Sequence, residues 1–166
     1  MKKKIITKIS EGLGNQLFMY ANSYSLCKKN NFDHYIDILS GYCQNKHIYD
    51  YVLDRFNISA ITASKEFSFE NPYKNLLKRI LIFIDKFSKN KKFYFEKKDS
   101  NKLSEYSPLD LNDANNYFFI DGNFESEKYF VDYRNDLLNE FDIKNKNQFS
   151  DNEYLNIIKK NNVVSI

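Results

Sequence analysis

Two glycines separated by one residue lie close to the start of the chain, in the stretch E-G-L-G-N-Q of residues 11 to 16. The sequence holds 4 glycines in all, so the pair Gly12 and Gly14 indicates either φ > 0 or the close approach of a ligand. An apolar run with helical spacing follows, which puts Asn15 and Gln16 at the amino end of a predicted helix. Free N–H groups and the helix dipole favour an anion there. The stretch predicts a loop that binds a phosphate or polar substrate; the alternative is a tight turn capped by Asn15.

Two common phosphate-binding motifs do not fit this stretch. The dinucleotide-binding pattern G-x-G-x-x-G requires a third glycine, and Leu17 stands at that position. The nucleoside-triphosphate loop requires G-K followed by serine or threonine, and no such sequence follows the glycines. A Rossmann-type enzyme that binds NAD or FAD is therefore a disfavoured alternative.

The glycine pair lies between a predicted strand and a predicted helix. Ile5–Ile9 is a short apolar run typical of a buried strand. Apolar residues then recur at helical spacing over Asn15–Lys29, and Tyr35–Leu39 has the composition of a second strand. Strand, glycine turn, helix and strand form a βαβ unit, so the sequence predicts an α/β fold.

The rest of the chain continues the alternation of helices and strands. The polar stretch Asp99–Asn116, which contains Pro108, is predicted to be irregular. The other expected elements are a helix at Ile48–Phe56, a strand near Ile58–Thr62, a helix at Tyr73–Ser88 with Pro72 in its first turn, strands at Phe93–Phe95 and Tyr117–Ile120, a helix at Glu125–Phe141, a helix from Asp151 to about Lys160, and a strand at Val163–Ile166.

Charge and cysteine content exclude several classes of protein. The 25 basic and 22 acidic residues give a net charge of +3, too balanced to indicate a nucleic-acid partner. Cys27 and Cys43 form no C-x-x-C motif and no disulfide framework, which favours a cytoplasmic location, and Cys27 is expected to pack on the first helix. His34 and His47 lack partners at metal-ligand spacing, so we expect surface or loop histidines and no bound metal.

Neither of the two basic-apolar segments is predicted to cross a membrane. The start, M-K-K-K-I-I-T-K-I-S, resembles the basic region of a signal peptide, but Lys8 interrupts its short apolar part. The run Leu76–Phe87 is shorter than the roughly 20 residues of a membrane span and contains charged residues. It predicts an amphipathic helix whose apolar face packs on the protein; the alternative is a peripheral contact with the inner face of the membrane.

The glycine stretch resembles a known signature. G-L-G-N-Q-L-F-x-Y-A, residues 12 to 21, is similar to the motif G-G-L-G-N-Q-[ML]-F-Q-Y-A of bacterial α-1,2-fucosyltransferases, glycosyltransferase family 11; Glu11 and Met19 depart from it. Two later segments resemble the same family in order and spacing: Y-V-L-D-R-F-N-I at residues 51 to 58, and G-N-F-E-S-E-K-Y-F at residues 122 to 130, where Glu125 replaces a glutamine. The resemblance covers nearly the whole chain.

The resemblance implies a reaction and an architecture. The family transfers L-fucose from GDP-fucose to the 2-hydroxyl of a galactose-containing glycan acceptor, with inversion, in surface polysaccharide or O-antigen (lipopolysaccharide) synthesis. It implies a two-domain GT-B enzyme whose Rossmann-like N-terminal half meets the acceptor, with no cofactor besides the donor substrate GDP-L-fucose. No two aspartates are two residues apart, which agrees with a metal-independent enzyme rather than one that holds a metal through D-x-D.

The resemblance also suggests roles for two groups of residues. Gly12, Gly14, Asn15 and Gln16 form one group of substrate-binding candidates, with turn geometry and helix capping as the other interpretation. The second group follows the strongest predicted strand, where ligands bind in α/β folds. There Glu127 is the candidate general base for the acceptor hydroxyl, and the further substrate-binding candidates are Glu125, Ser126 and Lys128. Capping of the next helix by these residues is the alternative.

The family's diphosphate clamp is the arginine of an H-x-R-x-G-D-Y motif, which the 166 residues do not contain. V-V-S-I at residues 163 to 166 resembles the strand that leads into it. We therefore expect residues 1 to 160 to form the acceptor-side domain and residues 161 to 166 to begin a truncated donor-binding domain. We also expect no turnover by this polypeptide alone. The alternative function is a non-catalytic carbohydrate- or nucleotide-binding module that uses the same glycine loop.

Overall fold

The structure is a computed structural model of the chain, and it describes residues 2–43, 48–98, 105–111 and 115–145, together with residues 156, 157 and 160. The strand expected at Val163–Ile166, the start of the last expected helix at Asp151 and the donor-domain segment 161–166 lie outside the described residues. Residues 156, 157 and 160 are helical and fall within the last expected helix.

Within the described residues, five parallel strands form one sheet. They are β1 (Lys4–Lys8), β2 (Asp33–Asp37), β3 (Ile61–Thr62), β4 (Phe93–Phe95) and β5 (Tyr117–Asp121). Their order is β3-β2-β1-β5-β4, and Ile6 of β1 lies opposite Tyr35 of β2 and Phe119 of β5. The predicted α/β class is confirmed. The chain order reverses between β1 and β5, and ligands of open parallel sheets bind at the carboxyl ends of the strands at such a point.

Helix α1 spans Leu13–Asn30 and connects β1 to β2. It begins two residues before the predicted start, because the N–H of Gln16 donates to the carbonyl oxygen of Gly12 at 3.0 Å. Gly12 is therefore the N-cap, and the prediction that Asn15 caps the helix was wrong. At the other end Asn31 adopts the left-handed conformation, with φ 55°, and its N–H reaches the carbonyl oxygens of Cys27 and Lys28.

Helix α2 spans Pro72–Asp85, with Pro72 in its first turn as predicted. Asn71 is its N-cap, and the side-chain oxygen of Asn71 accepts the N–H of Lys74 at 2.8 Å. The helix ends three residues before the predicted Ser88. The carboxylate of Asp85 accepts the N–H groups of Lys92 and Phe93 at 2.9 and 3.1 Å, which directs the chain into β4.

Two predicted helices are mostly replaced by tighter turns. Only a 3₁₀ turn at Leu53–Arg55 stands in the region predicted as the helix Ile48–Phe56, since the side chain of Gln16 pairs with backbone groups that a helix would pair internally.

The helix predicted at Glu125–Phe141 is two 3₁₀ turns, Glu127–Tyr129 and Val131–Tyr133, followed by helix α3. Phe130 has φ −143° and ψ 12°, so the segment cannot be one continuous helix. Helix α3 spans Arg134–Glu140.

The core lies on both faces of the sheet, because successive strand residues point to opposite faces. Phe118 and Ile120 of β5 join a buried cluster with Cys27 of α1. On the other face Phe119 stacks on Phe93, with ring centroids 4.9 Å apart. A further cluster joins α1 and α3 to the ends of β1 and β2, and its buried members are Ile9, Met19, Tyr20, Ala21, Tyr24, Ile36, Leu53 and Leu137.

Within the described residues, no helix is both long enough and apolar enough to cross a bilayer.

Candidate functional site

The glycine loop lies at the carboxyl end of β1, directly across the crevice from the carboxyl end of β5. Glu11 joins the two sides: its carboxylate accepts a hydrogen bond from the Asn15 side chain and another from Nδ2 of Asn123, the latter at 3.3 Å. Nδ2 of Asn123 also donates to Glu125 Oε1 at 3.0 Å. Carboxylates and an amide from stretches 112 residues apart thus meet at the switch point of the sheet.

The backbone explains the two glycines in a way that the sequence did not predict. The residue of the loop in the left-handed conformation is Glu11, with φ 64°, whereas neither Gly12 nor Gly14 has a positive φ. A Cβ added to Gly14 would meet nothing within 4 Å. Turn geometry therefore does not require glycine at this position. The open space above the amino end of α1, where the first-turn N–H groups lack helical partners, leaves room for a ligand to approach the backbone.

The left-handed conformation of Glu11 yields a stability prediction. Because φ > 0 costs a side-chain-bearing residue about 1 kcal/mol relative to glycine, we expect Glu11→Gly to be about 1 kcal/mol more stable than Glu11→Ala. Both variants lack the carboxylate, so their difference isolates the backbone contribution. Urea denaturation of the two proteins measures it, and equal free energies of unfolding would contradict the left-handed assignment.

Gln16, a predicted substrate-binding residue, holds the scaffold together through its side chain. The residue is 0% exposed. Its Nε2 donates to the carbonyl oxygens of Glu11 and Asp50, each at 2.8 Å, and its Oε1 accepts the N–H of Val52 at 3.0 Å. Both amide hydrogens are used within the protein, so the side chain has no donor left for a substrate.

The far wall of the crevice is built by a residue that the sequence analysis missed. Glu96 is 8% exposed, and its two carboxylate oxygens accept the N–H groups of Asn123 and Phe124, each at 2.9 Å. A Cβ on Gly122 would lie 2.4 Å from Cβ of Glu96. The available signal was an acidic residue placed directly after the strand Phe93–Phe95. Glu96 fixes the turn that presents the Asn123 side chain to the glycine loop.

Asp121, the last residue of β5, lies between two lysines. Its carboxylate is 2.5 Å from Nζ of Lys8 and 3.0 Å from Nζ of Lys78. Burial on its own would raise the pKa of Asp121, but the charges and hydrogen bonds of the two lysines together lower it below the usual value. The carboxylate is therefore ionised at neutral pH, and it ties the ends of β1 and β5 to α2.

The predicted site residues Glu125 to Lys128 do not all lie in the same place. Glu125 lies in the crevice beside Asn123. Ser126 caps a 3₁₀ turn by accepting the N–H of Lys128 at 3.4 Å, which agrees with the capping alternative. Glu127 and Lys128 are exposed on that turn, and Nζ of Lys128 lies 5.8 Å from the ring centroid of Tyr106. The 3₁₀ turn Glu127–Tyr129 lies beside helix α1.

A cleft of about 210 Å³ opens beside the loop and is lined by Glu11, Gly41, Tyr42, Ile48 and Tyr49. The ring of Tyr49 lies over the glycine loop, 3.4 Å from where a Cβ on Gly12 would be. The Tyr42 hydroxyl is buried and lacks a hydrogen-bond partner among the described residues. Burial, Tyr51 and nearby carboxylates raise its pKa, so it stays a neutral donor and acceptor. A carboxylate and aromatic surface suit a polar ligand with an apolar face, such as a sugar.

His34 was predicted to be a surface or loop residue, and this was wrong. It lies in β2, its ring centroid is 4.9 Å from that of Tyr20, and Nε2 is 2.7 Å from the hydroxyl oxygen of Ser23. Its Nδ1 is buried without a partner in the described part of the chain. This burial lowers the pKa of His34 to about 3.

His47 lies outside the described residues. Cys27 is buried on α1 as predicted, and burial raises the pKa of its thiol.

The half-buried ring of His34, whose Nδ1 is buried, predicts acid sensitivity. The unfolded chain binds a proton below the ordinary histidine pKa of 6.5, whereas the folded chain does so only near 3. Folding stability is therefore complete above pH 6.5 and falls as the pH drops towards 3, by at most about 1.4 kcal/mol per pH unit. Urea denaturation at several pH values should show a shallower decline for His34→Gln, which retains a polar partner for the Ser23 hydroxyl. An unchanged slope in the variant would assign the decline to other groups.

The three segments with family-like sequences converge around the amino end of α1. The side chain of Gln16 bonds to backbone groups of Asp50 and Val52, at the start of the segment 51–58. The segment 122–130 is joined to the first segment by the bond from Asn123 to Glu11 and by the rings of Phe18 and Phe130, which are 5.9 Å apart. These contacts define a polar crevice on a parallel α/β sheet. No group of three or more metal-binding side chains occurs within the described residues.

Comparison with models of protein families, with characterised proteins and with solved structures finds no match to this chain.

Proposed function

We propose that the chain is the acceptor-side half of a metal-independent, inverting α-1,2-fucosyltransferase of the GT-B type, and that its crevice holds the galactose unit of a glycan acceptor. One observation carries the proposal. The two most specific family-like stretches, far apart in the sequence, lie side by side at the carboxyl ends of β1 and β5, where Asn123 bonds to Glu11, the residue in place of the motif's first glycine. This is the place where the fold is expected to bind its ligand.

The chemistry of inverting transfer makes two demands on this side of the enzyme. The 2-hydroxyl of the acceptor must attack the anomeric carbon of fucose from the face opposite the diphosphate, so the acceptor has to be held in line. As the new C–O bond forms and the bond to GDP breaks, the hydroxyl proton passes to a base. Glu11 and Glu125 are carboxylates in the crevice that can accept it. Glu11 and Glu125 stand where the family motif has glycine and glutamine, so either would be a base specific to this chain. Glu127, exposed on the neighbouring 3₁₀ turn, is the carboxylate that matches the family motif and stays the candidate that the resemblance suggests.

The remaining residues of the crevice have positioning roles in this proposal. Tyr49 and Tyr42 offer aromatic surface to the sugar ring, while the open backbone above Gly14 admits a sugar hydroxyl. The amino end of α1 faces the crevice and favours negative charge, as on the diphosphate of GDP-fucose. The donor itself is held mainly elsewhere in the proposed enzyme.

The four glycines supply a direct test. Gly12, Gly14, Gly41 and Gly122 all lie at the crevice, so selective ¹⁵N-glycine labelling yields four amide signals that report on it alone. We expect methyl β-galactoside to shift the signals of Gly12, Gly14 and Gly41, and its C4 epimer, methyl β-glucoside, to shift them less. Asn123→Leu, which breaks the contact with Glu11, should weaken the response.

The same titration separates the alternatives. Shifts with NAD and none with galactoside would overturn the proposal in favour of a Rossmann-type enzyme. Tight binding of GDP-fucose by this chain alone, without a response to galactoside, would instead support a nucleotide-binding module. No response to any of these ligands would also count against the proposal.

A further inference from the structure

Helix α2 turns its apolar side away from the protein. The prediction that the apolar face of residues 76–87 packs on the protein was wrong. The large apolar side chains along this surface, here called the outer face of α2, are between 38% and 79% exposed, and they are Tyr73, Leu76, Leu77, Ile80, Leu81, Phe83, Ile84 and Phe87. A contiguous exposed surface of this kind marks an interaction site.

The polar side of α2 faces the sheet. Lys78 bonds to Asp121 at 3.0 Å, and its Nζ lies 5.4 Å from the ring centroid of Phe69. Asp85 is buried and holds the backbone that leads into β4. Lys74 pairs with Glu70 at the amino end of the helix. Because these contacts fix the rotation of α2 about its axis, its apolar arc has to point outward.

The charges around the outer face are of one sign. Residues 71–92 contain seven basic residues and a single acidic one, Asp85, and Asp85 is turned inward. Arg79 and Lys86 are exposed and seven residues apart, which puts them on the same edge of the helix, beside Phe83. Lys89 is exposed just beyond the carboxyl end. The outer face thus combines apolar bulk with a cationic edge and presents no carboxylate of its own.

We propose that the outer face of α2 docks onto an anionic lipid bilayer, with the helix lying in the plane of the membrane surface. Leucine, isoleucine and phenylalanine on one arc with Lys and Arg beside them is the pattern of helices that bind at the headgroup boundary. The 14-residue helix is about 21 Å long, too short to cross a bilayer. The excess of positive charge favours anionic lipid over a neutral surface. This inference is independent of the proposed fucosyl transfer.

The absence of tryptophan from the sequence makes the test direct. Phe83→Trp places a single fluorophore on the outer face. We expect vesicles of phosphatidylglycerol and phosphatidylcholine to shift its emission to the blue, and vesicles of phosphatidylcholine alone to do so much less. Leu138→Trp, on the exposed side of α3, is the matched control and should not shift.

Charge and apolar contributions are separated by two further variants. Arg79→Gln combined with Lys86→Gln should weaken binding to the anionic vesicles by about 30-fold, since each basic residue near such a surface contributes about fivefold. Ile80→Asp should abolish co-sedimentation with vesicles while leaving the circular dichroism spectrum unchanged, because Ile80 is exposed. Leu138→Asp is the control for an added charge elsewhere.

Three results would overturn the proposal. One is the same emission spectrum for Phe83→Trp with and without anionic vesicles. Another is a dimer, measured by light scattering, that Ile80→Asp dissociates, which would show that a second copy covers the outer face. The third is a monomeric Phe83→Trp variant whose emission is already blue-shifted without lipid, because another part of the chain would then cover this surface.

Discussion

Gly41→Ala is expected to lower the free energy of unfolding by about 3 kcal/mol or more, although Gly41 lies in a surface loop. A Cβ at this position would be 2.0 Å from the carbonyl oxygen of Ile9 and 2.6 Å from Cβ of Ser10. These atoms directly follow β1, the central strand, and the N–H of Ile9 is bonded to the carbonyl oxygen of Asp37 in β2, so they cannot move without disturbing the sheet. Overpacking against a fixed backbone is destabilising on this scale.

Gly14→Ala is the matched control, because the same methyl group there would meet nothing within 4 Å. We expect its free energy of unfolding to be unchanged or raised by up to about 1 kcal/mol, since alanine restricts the unfolded chain more than glycine does. Urea denaturation of both variants measures the contrast. A large loss of stability in Gly14→Ala would show that the glycine is needed for the turn itself.

The same pair of variants separates the structural role of a glycine from a role in binding. Gly14→Ala puts a methyl group where a ligand would approach the helix end, so it should weaken the galactoside response while the fold stays intact. If the alanine variant binds as tightly as the parent chain, the open space above Gly14 is not part of the binding site.

The strands and the first βαβ unit could be predicted from the sequence because their signals are local. β1 was displaced by one residue, and β4 matched its predicted bounds at Phe93–Phe95. Runs of β-branched and aromatic residues between turns are sufficient for this. The region after β5 was not predictable in the same way, because it depends on Phe124 in a left-handed conformation, with φ 55°, held by Glu96. Such a contact between distant residues leaves no local pattern.

Amphipathic spacing located α2 but could not orient it. The period of apolar residues shows that a helix has two unlike sides, and by itself it does not show which side faces the sheet. In this chain the orientation is set by Lys78 and Asp85, whose partners come from β5 and the start of β4. The usual expectation, apolar side inward, fails because charged contacts attach the helix by its other side.

The sequence allowed us to predict where the two candidate stretches lie in the fold, but it did not show which residues join them. The glycine loop and the stretch after β5 were both expected at ligand-binding edges, and they do face each other. The residues that join them, Glu11 and Asn123, were not among the predicted site residues. Their contact follows from the parallel order of β1 and β5, which a single sequence does not specify. Gln16, a predicted site residue, uses its side chain to bond the backbone of Glu11, Asp50 and Val52.

Gln16→Met is expected to lower the free energy of unfolding by about 2–4 kcal/mol. Methionine is similar in length but leaves the carbonyl oxygens of Glu11 and Asp50 and the N–H of Val52 without the partner that Gln16 supplies. Each buried polar group that loses its partner costs about 1–3 kcal/mol, and partial access of water to these groups reduces the sum. Urea denaturation measures the loss.

Asn22→Leu supplies the control for this substitution within the same helix. Asn22 is also a buried amide on α1, and its Nδ2 has no hydrogen-bond partner among the described residues. Removing that amide leaves fewer groups unsatisfied, so its replacement should change stability by less than about 1 kcal/mol. Equal losses in the two variants would mean that the bonds of Gln16 contribute no more than its packing does.

Gln16→Met should also weaken the binding of a ligand in the crevice. Gln16 holds residues 50–52 against the glycine loop, and the next residue towards the crevice, Tyr49, lines the cleft beside Glu11. Under conditions in which the variant remains folded, we expect a weaker response of the Gly12 signal to galactoside, with the Gly122 signal less affected. Gln16 has no donor left for a ligand. A weaker response would therefore show that Gln16 affects binding indirectly, because it positions the glycine loop and Tyr49. An unchanged response would remove Tyr49 and its segment from the binding site.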